Sequence, residues 1–279
     1  MKERSIPMIL TDSHMHTSFS SDSDTSMEQM IQASIEKGLT SICITDHHDI
    51  DFPHLFDGLD FQLDTPSYIE EFRRLKDIYG TRIDLRIGVE LGIMPDTGDK
   101  LRAYLNTYGS EFDFVLGSTH LVDKTDPYLP NYYGSFSKEQ DGFRRYFEEN
   151  MKNLQTFDLM DSFGHYDYAV RYAPNKDLYY VPSDYMDMTD VFLKTLMEKG
   201  IALELNTAGL KYGMKQANPH IDMLKHYRKL GGELLTIGAD GHKPEHIAWD
   251  FKKAEEILKE AGFEYYTVFR NRKPEMVKI

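Results

Sequence analysis

The chain has 279 residues, a formal net charge of −14, and 41% hydrophobic and 28% charged residues. That acidic balance disfavours nucleic acid as a partner, because a phosphate backbone is held by clustered Lys and Arg; it leaves room for a small anion, since bound divalent metals reverse the local field. No apolar run is long enough to span a bilayer, the Met1–Pro7 stretch lacks the apolar core of a signal peptide, and the single Cys43, in the apolar run Ser41–Ile44, reads as a buried inert thiol with no disulfide partner, so a cytoplasmic location is expected.

Short apolar runs alternate with helical patterns along the whole chain. A strand-like run, Met8 to His16, comes first. Met27 to Lys37 follows, with Met27, Met30, Ile31 and Ile35 at helical spacing and a stop at Gly38. Thr40 to His47 is the next strand, Ser67 to Tyr79 the next helix, ending at Gly80, and Leu85 to Glu90 and Phe114 to His120 are further strands. Leu121 to Ser137, rich in Pro, Tyr, Asn and Gly, lies between a strand end and a helix and reads as a lid or substrate loop. Then come helix Lys138 to Asn150, strand Ser162 to His165, helix Met186 to Lys199, strand Ile201 to Asn206, helix Ile221 to Leu230, strand Leu234 to Asp240 and helix Pro244 to Ala261. No internal repeat or Pro/Gly/Ser linker interrupts the series, so one domain over residues 1–279 is expected. Strand–helix alternation predicts parallel strands with crossover helices. About seven such units point to an α/β fold with a closed barrel rather than an open sheet.

Polar residues fall where such a barrel does chemistry. Six of the seven runs end in a metal-binding residue type, His16, His47, Glu90, His120, His165 and Asp240, and the seventh ends in Asn206. In a parallel barrel these ends share one face, the face that carries the site. His14 and His16 are two apart on a strand, so both imidazoles point the same way. Asp12 lies on that face too, either orienting an imidazole or capping a strand. Asp240-Gly241-His242 repeats the spacing. His47 continues its strand and is preferred to His48, a loop residue, with Asp46 a partner behind it. Glu90 is the natural bridge between two ions, because a carboxylate has two oxygens to offer and a neutral imidazole one free nitrogen. Asp22, in a Ser- and Asp-rich turn, is not assigned from spacing alone. Mixed imidazole and carboxylate donors suit zinc, manganese or iron better than calcium or magnesium. So many donors imply two or three ions, and ions about 3.5–4 Å apart can share a hydroxide and clamp both oxygens of a phosphoryl displacement.

Asp12-Ser13-His14-Met15-His16-Thr17, Thr45-Asp46-His47, Gly88-Val89-Glu90, Gly117-Ser118-Thr119-His120, Gly164-His165 and Gly238-Ala239-Asp240-Gly241-His242 resemble, in order and over nearly the whole chain, the motifs of the polymerase and histidinol phosphatase (PHP) superfamily. Glu204 to Leu210, Gly164 to Tyr172 and His242 to Glu245 resemble its stand-alone histidinol-phosphatase branch. The resemblance implies a distorted (βα)7 TIM-like barrel with a trinuclear centre. His14, His16, Glu90 and Asp240 would hold one metal; Glu90, His120 and His165 a second; Asp22, His47 and His242 a third. Some relatives have His where Asp22 stands, and Asp24 is its fallback. The implied reaction is hydrolysis of the small phosphate ester L-histidinol phosphate by a metal-bridged hydroxide, with no protein nucleophile. Glu90, Asp240 and Arg171 are expected at the chemistry, and Arg171, Asn206 and Lys211 at the substrate. Arg171 is the candidate phosphate clamp, because guanidinium matches phosphate oxygens in a fork. Tyr132, Tyr133 and nearby acids are candidates for the imidazole and amine. The competing readings are a phosphoesterase for another small ester or nucleotide, and a non-catalytic metal-stabilised module. A site related to the amidohydrolases is a third, against which the lack of an obvious metal-bridging Lys speaks.

Overall fold

A computed structural model describes residues 9–279, so Met8, the first residue of the first expected strand, and the Met1–Pro7 stretch lie outside the described residues. The parallel strands are β1 (Thr11–Asp12), β2 (Ser41–Ile44), β3 (His47–His48), β4 (Asp84–Gly92), β5 (Phe114–Ser118), β6 (Ser162–Phe163), β7 (Ala202–Asn206) and β8 (Leu235–Gly238). Their order is β1-β2-β4-β5-β6-β7-β8. β3 continues the line of β2: Ser41–Ile44 face Asp84–Ile87, and His47–His48 face Glu90–Leu91 on the same β4. Seven staves result. Ser13 N–H donates to the Ile237 carbonyl at 2.9 Å and His16 N–H to that of Gly241 at 2.9 Å, so the stretch beyond β1 joins β8 and the stretch after it and nearly closes the barrel. β2, β5, β7 and β8 are buried at every position, which is why they read as continuous apolar runs rather than alternating ones.

The helices follow local rules. α1 (Met27–Glu36) opens on Ser26, whose side chain accepts from Gln29 N–H while Gln29 reaches back, a reciprocal cap that satisfies two orphan donors. α2 spans Thr65–Tyr79. α3 (Gly98–Tyr108) was not expected; it buries only Gly98, Leu101 and Leu105, too thin a stripe to stand out in the sequence. α4 (Pro130–Gly134) lies in the expected lid stretch, and α5 (Glu139–Thr156) runs six residues past its expected end. α6 (Met186–Lys199) stops at Gly200, whose φ of 69° is the left-handed cap that glycine adopts most easily. α7 (Ala208–Lys211), α8 (Ile221–Leu230) and α9 (Phe251–Ala261) complete the set. The single helix expected over Pro244 to Ala261 is broken into a short turn, Pro244–His246, and α9. Tertiary bonds divert the chain there: Lys37 Nζ donates to the Glu245 and Ile247 carbonyls at 3.0 and 2.7 Å, and Ala248 N–H donates to Asp12.

An antiparallel hairpin, β9 (Tyr265–Arg270) and β10 (Lys273–Lys278), ends the chain. It was not expected, because β10 is mostly exposed and lacks an alternating pattern. Its tip lies against the N-terminal ends of the barrel strands, where Asn271 N–H donates to Asp113 at 3.0 Å and Arg272 pairs with Asp161. Cys43 is fully buried among Phe114, Leu116, Ala202 and Phe269, and burial pushes its thiol far up, so it is inert. Among the described residues no helix is long and apolar enough to cross a membrane.

Candidate metal centre

The expected ligands gather at the C-terminal ends of the strands, although most sit just beyond the last paired residue. Parallel pairing fixes the heights of the strand ends, and the following loops turn the side chains inward. Asp240 and His165 adopt φ values of 53° and 23° to do so. Such left-handed backbone costs on the order of 1 kcal/mol at a non-glycine and persists where surrounding bonds hold it. Gly238 lets the walls meet: a Cβ there would lie 2.2 Å from that of His14.

Glu90, fully buried on β4, stands at the middle. Its Oε2 lies 3.3 Å from His14 Nε2, 3.5 Å from His16 Nε2 and 3.0 Å from His47 Nδ1. Its Oε1 lies 3.1 Å from His165 Nε2 and 3.3 Å from His120 Nε2. One carboxylate thus faces two imidazole sets with separate oxygens. Asp240 Oδ1 joins the first set, 3.6 Å from His16 and 3.9 Å from His14. On the third side, Asp22 Oδ2 lies 3.2 Å from His242 Nε2 and 3.6 Å from His47 Nε2. Asp22 and Asp24 are both exposed and neither joins a compact donor group among the described residues; the contacts with His242 and His47 are what distinguish Asp22.

Four groups of donor atoms could each surround a cation: His14, His16 and Asp240; Glu90, His120 and His165; His16, His47 and His242; and His47, Asp49 and His120. The donors within each lie within 4.8 Å of one another. Buried polar atoms are ordinarily paired, yet His47 Nδ1, Asp49 Oδ1, Glu90 Oε2 and His242 Nε2 have no hydrogen-bond partner among the described residues. Unpaired donors converging on shared points fit metal ions. The charge states fall into two sets: against burial, neighbouring carboxylates raise His14, His47 and His120, which a bound cation would have to deprotonate, while the other groups already hold the metal-binding form. Burial pushes His16 well below its ordinary pKa, aided by His242 and His47, and burial also lowers His165, so both are neutral. Burial would protonate Glu90, but His14, His120 and His47 outweigh it and keep it ionised. Asp240 is likewise held ionised against burial by His14 and Arg171. Neutral imidazole and ionised carboxylate are the forms that bind metal.

Behind these groups stands a layer that the spacing did not reveal. Glu204 Oε1 bonds His14 Nδ1 at 2.6 Å, and its Oε2 accepts from His165 N–H at 2.8 Å. Asp49 Oδ2 bonds His120 Nδ1 at 2.7 Å. Ser20 lies 3.2 Å from His16 Nδ1 and donates to Asp46 at 2.6 Å, so Asp46 acts through Ser20. The contacts at His14, His120 and His16 set which ring nitrogen faces inward. Glu204 was visible only inside the motif resemblance; its place two residues before Asn206, on the same strand face, was the available signal. Asp12 takes the strand-holding role: it accepts from the backbone N–H groups of Ala239 and Ala248 at 3.0 and 2.8 Å. His48 is turned away, accepting from Leu63 N–H.

A cavity of about 380 Å³ opens over the centre, within the usual range for a small-molecule site. Arg171 and Lys211 line it. Arg171 is buried and donates to Asn218 at 2.7 Å, Asp240 at 2.8 Å and Asn206 at 2.8 Å. Guanidinium has five N–H donors, so one remains on each terminal nitrogen. Lys211 Nζ donates to the Asp240 carbonyl at 2.8 Å. Asn206, expected at the substrate, stands one layer back: it is fully buried, with its amide engaged by Arg171, Glu204 and the Ala208 N–H. Tyr132 and Tyr133, candidates for the imidazole and amine, are instead buried in the core, because their hydroxyls find the Gly142 and Ala169 carbonyls at 2.7 and 2.6 Å. From that stretch Asp126 lines the cavity.

Comparison with known proteins accords with this geometry. The PHP domain model matches residues 12–208. A histidinol-phosphatase of Lactococcus lactis is 31% identical over 94% of this chain and 95% of its own length. A probable histidinol-phosphatase of Clostridium acetobutylicum is 34% identical, over 87% and 90%. The crystal structure of the histidinol phosphate phosphatase from Lactococcus lactis, complexed with zinc, L-histidinol and phosphate, superposes with a TM-score of 0.84 at 29% identity, covering 95% of this chain and 98% of that one. A putative histidinol phosphatase structure from Listeria monocytogenes shares the fold, with a TM-score of 0.77 at 19% identity. With the PHP domain model matching most of the chain and relatives of 31% and 34% identity over nearly its full length, this chain belongs to the PHP family.

Proposed function

We propose that this protein is a histidinol-phosphatase, a metal-dependent phosphoric monoester hydrolase that converts L-histidinol phosphate to L-histidinol and phosphate in histidine biosynthesis. The observation that carries the chemistry is Glu90, whose two oxygens face separate imidazole sets at the base of a small-molecule cavity. The substrate follows from relatives of that activity over nearly the full chain, one of which holds zinc, L-histidinol and phosphate.

The centre takes two or three divalent transition-metal ions, zinc, manganese or iron. His14, His16, Glu90 and Asp240 hold one; Glu90, His120 and His165 a second; Asp22, His47 and His242 the third. Bound there, such ions supply Lewis-acid stabilisation of a phosphoryl group and a nucleophile at neutral pH. Arg171 and Lys211 give N–H donors to the phosphoryl oxygens. Asn206, Asn218 and Asp240 already hold the Arg171 guanidinium in place, so little ordering is left to do on binding. Phe52, Phe61 and Tyr172 line the cavity and limit water around the reacting group. A free, buried Cys43 and the absence of any membrane-crossing helix among the described residues suit a cytoplasmic enzyme.

The test is phosphate release with metal content measured in the same samples. Histidinol phosphate should be hydrolysed orders of magnitude faster than nucleotides. Comparable rates overturn the substrate, and metal binding without any phosphoesterase activity makes the protein a metal-stabilised module.

A further inference from the structure

The acids that line the cavity fall into two kinds. Asp22, Asp49, Glu90 and Asp240 each have a carboxylate oxygen within 4.0 Å of an imidazole nitrogen. Asp126 has none among the described residues. It lies in the loop after β5 and is only 7% exposed, yet it forms part of the cavity wall. Its Oδ1 accepts from Tyr128 N–H at 2.8 Å and from the Tyr168 hydroxyl at 3.4 Å. Its Oδ2 accepts from no donor among the described residues. Burial raises its carboxyl to about 6, against the Tyr128 N–H and the charge of His120, as fits a carboxylate short of a cationic partner.

Charged and aromatic groups share the cavity wall. Its fixed cations, Arg171 and Lys211, both bond Asp240. The Tyr168 ring stands beside Arg171, with the guanidinium 5.3 Å from its centre, and carries its hydroxyl to Asp126. One end therefore suits an anion and the other a cation, with Phe52 and Phe61, 4.7 Å apart, as apolar wall nearby.

We infer that Asp126 is a specificity-determining residue: its free oxygen receives a cationic N–H group of the leaving alcohol while the phosphoryl group lies toward Arg171 and Lys211. This rests on the histidinol-phosphatase reading, whose substrate carries an ammonium and an imidazole on the carbon chain of the ester. A buried carboxylate gains a charge-assisted bond only from an ester bearing such a cation, so the gain selects among phosphate esters.

The experiment compares kcat/KM for histidinol phosphate, its analogue lacking the amine, and phenyl phosphate, in wild type, Asp126→Asn and Tyr168→Phe. Asparagine keeps an acceptor for Tyr128 and Tyr168 but removes the charge. The histidinol phosphate to phenyl phosphate ratio should fall at least about 30-fold in Asp126→Asn, the low end for truncating one side of a buried charge pair. In Tyr168→Phe, which frees Asp126 without discharging it, the ratio should fall less. The inhibition constant of L-histidinol should rise in step, and that of inorganic phosphate should not. If the deaminated analogue shows no fall, the ammonium is the group received; if it falls equally, the imidazole is. An unchanged ratio overturns the inference, whether Asp126→Asn is as active as wild type or uniformly slower. A wild-type enzyme with no preference for histidinol phosphate over phenyl phosphate removes the functional reading itself, and the inference with it.

Discussion

Buried charge collects at both ends of this barrel, and the two ends treat it differently. At the N-terminal end, Arg86 is fully buried, donating to Ser41 Oγ through Nε and Nη2 at 3.1 and 2.7 Å and to the Phe269 carbonyl at 3.1 Å. Arg270 pairs with Asp84 at 2.8 Å, Arg272 pairs with Asp161, and Asp113 accepts from Ile87 and Asn271 N–H at 3.2 and 3.0 Å. Among the described residues none of these groups has a buried side-chain polar atom without a partner. At the C-terminal end, His47, Asp49, Glu90 and His242 all do. Charge closed upon itself fastens a hairpin to a barrel; charge left open and convergent asks for a ligand. The number of buried ionisable groups does not separate a structural network from a site. Between these two ends, completeness of pairing does.

That contrast can be broken at either end. The largest effect should come from Glu90→Ala, which removes the two oxygens proposed to join the metal sites: kcat/KM should fall by on the order of 10³-fold or more, with bound metal lost in the same preparation, and an active, metal-loaded variant would overturn the role of Glu90. Arg86→Met should act in the opposite way. It leaves the Phe269 carbonyl without its donor and loosens the hairpin, so denaturant unfolding should show a loss of about 1–3 kcal/mol, while metal content stays that of wild type. Loss of metal without loss of stability would mean the two ends are coupled. Glu204→Gln tests the layer behind the imidazoles. It keeps the shape but not the charge against His14, and metal affinity measured with a competing chelator should weaken about 10- to 100-fold.

The smallest effect concerns pH. Asp84 is held below its ordinary range against partial burial, by bonds from Arg270 and Ser41. A depressed folded pKa means that the stabilisation is present above the unfolded value of about 4 and is lost as pH falls through the folded value. The stability difference between wild type and Asp84→Asn should therefore shrink between about pH 5 and pH 2 in unfolding titrations. A difference independent of pH would mean that packing rather than charge holds Arg270.

Much of this was legible because it is local. Helices α1, α6 and α8 followed from apolar spacing and terminal glycines, and the strand ends from buried runs closing on His, Glu or Asp. α3 was missed because three buried residues do not make a pattern. The hairpin was missed because its outer strand has no buried face. The helix expected from Pro244 onward broke because Lys37 and Asp12, far away in the chain, claim the backbone between its halves. Tyr132 and Tyr133 looked like substrate residues because a loop rich in polar aromatics follows a strand end; packing against α5 turned them inward.

By itself the sequence determined the alternating barrel, the face on which chemistry sits and the residue types that face offers, since each depends on spacing within one element. Tertiary structure alone decided which groups meet. His14 and Glu204 are 190 positions apart and 2.6 Å from each other. The division of Glu90's oxygens, the three bonds that hold Arg171 and the unpartnered oxygen of Asp126 are facts of the same kind. They arise where separate strands and the loops beyond them converge, and no local period encodes the distance between two such segments.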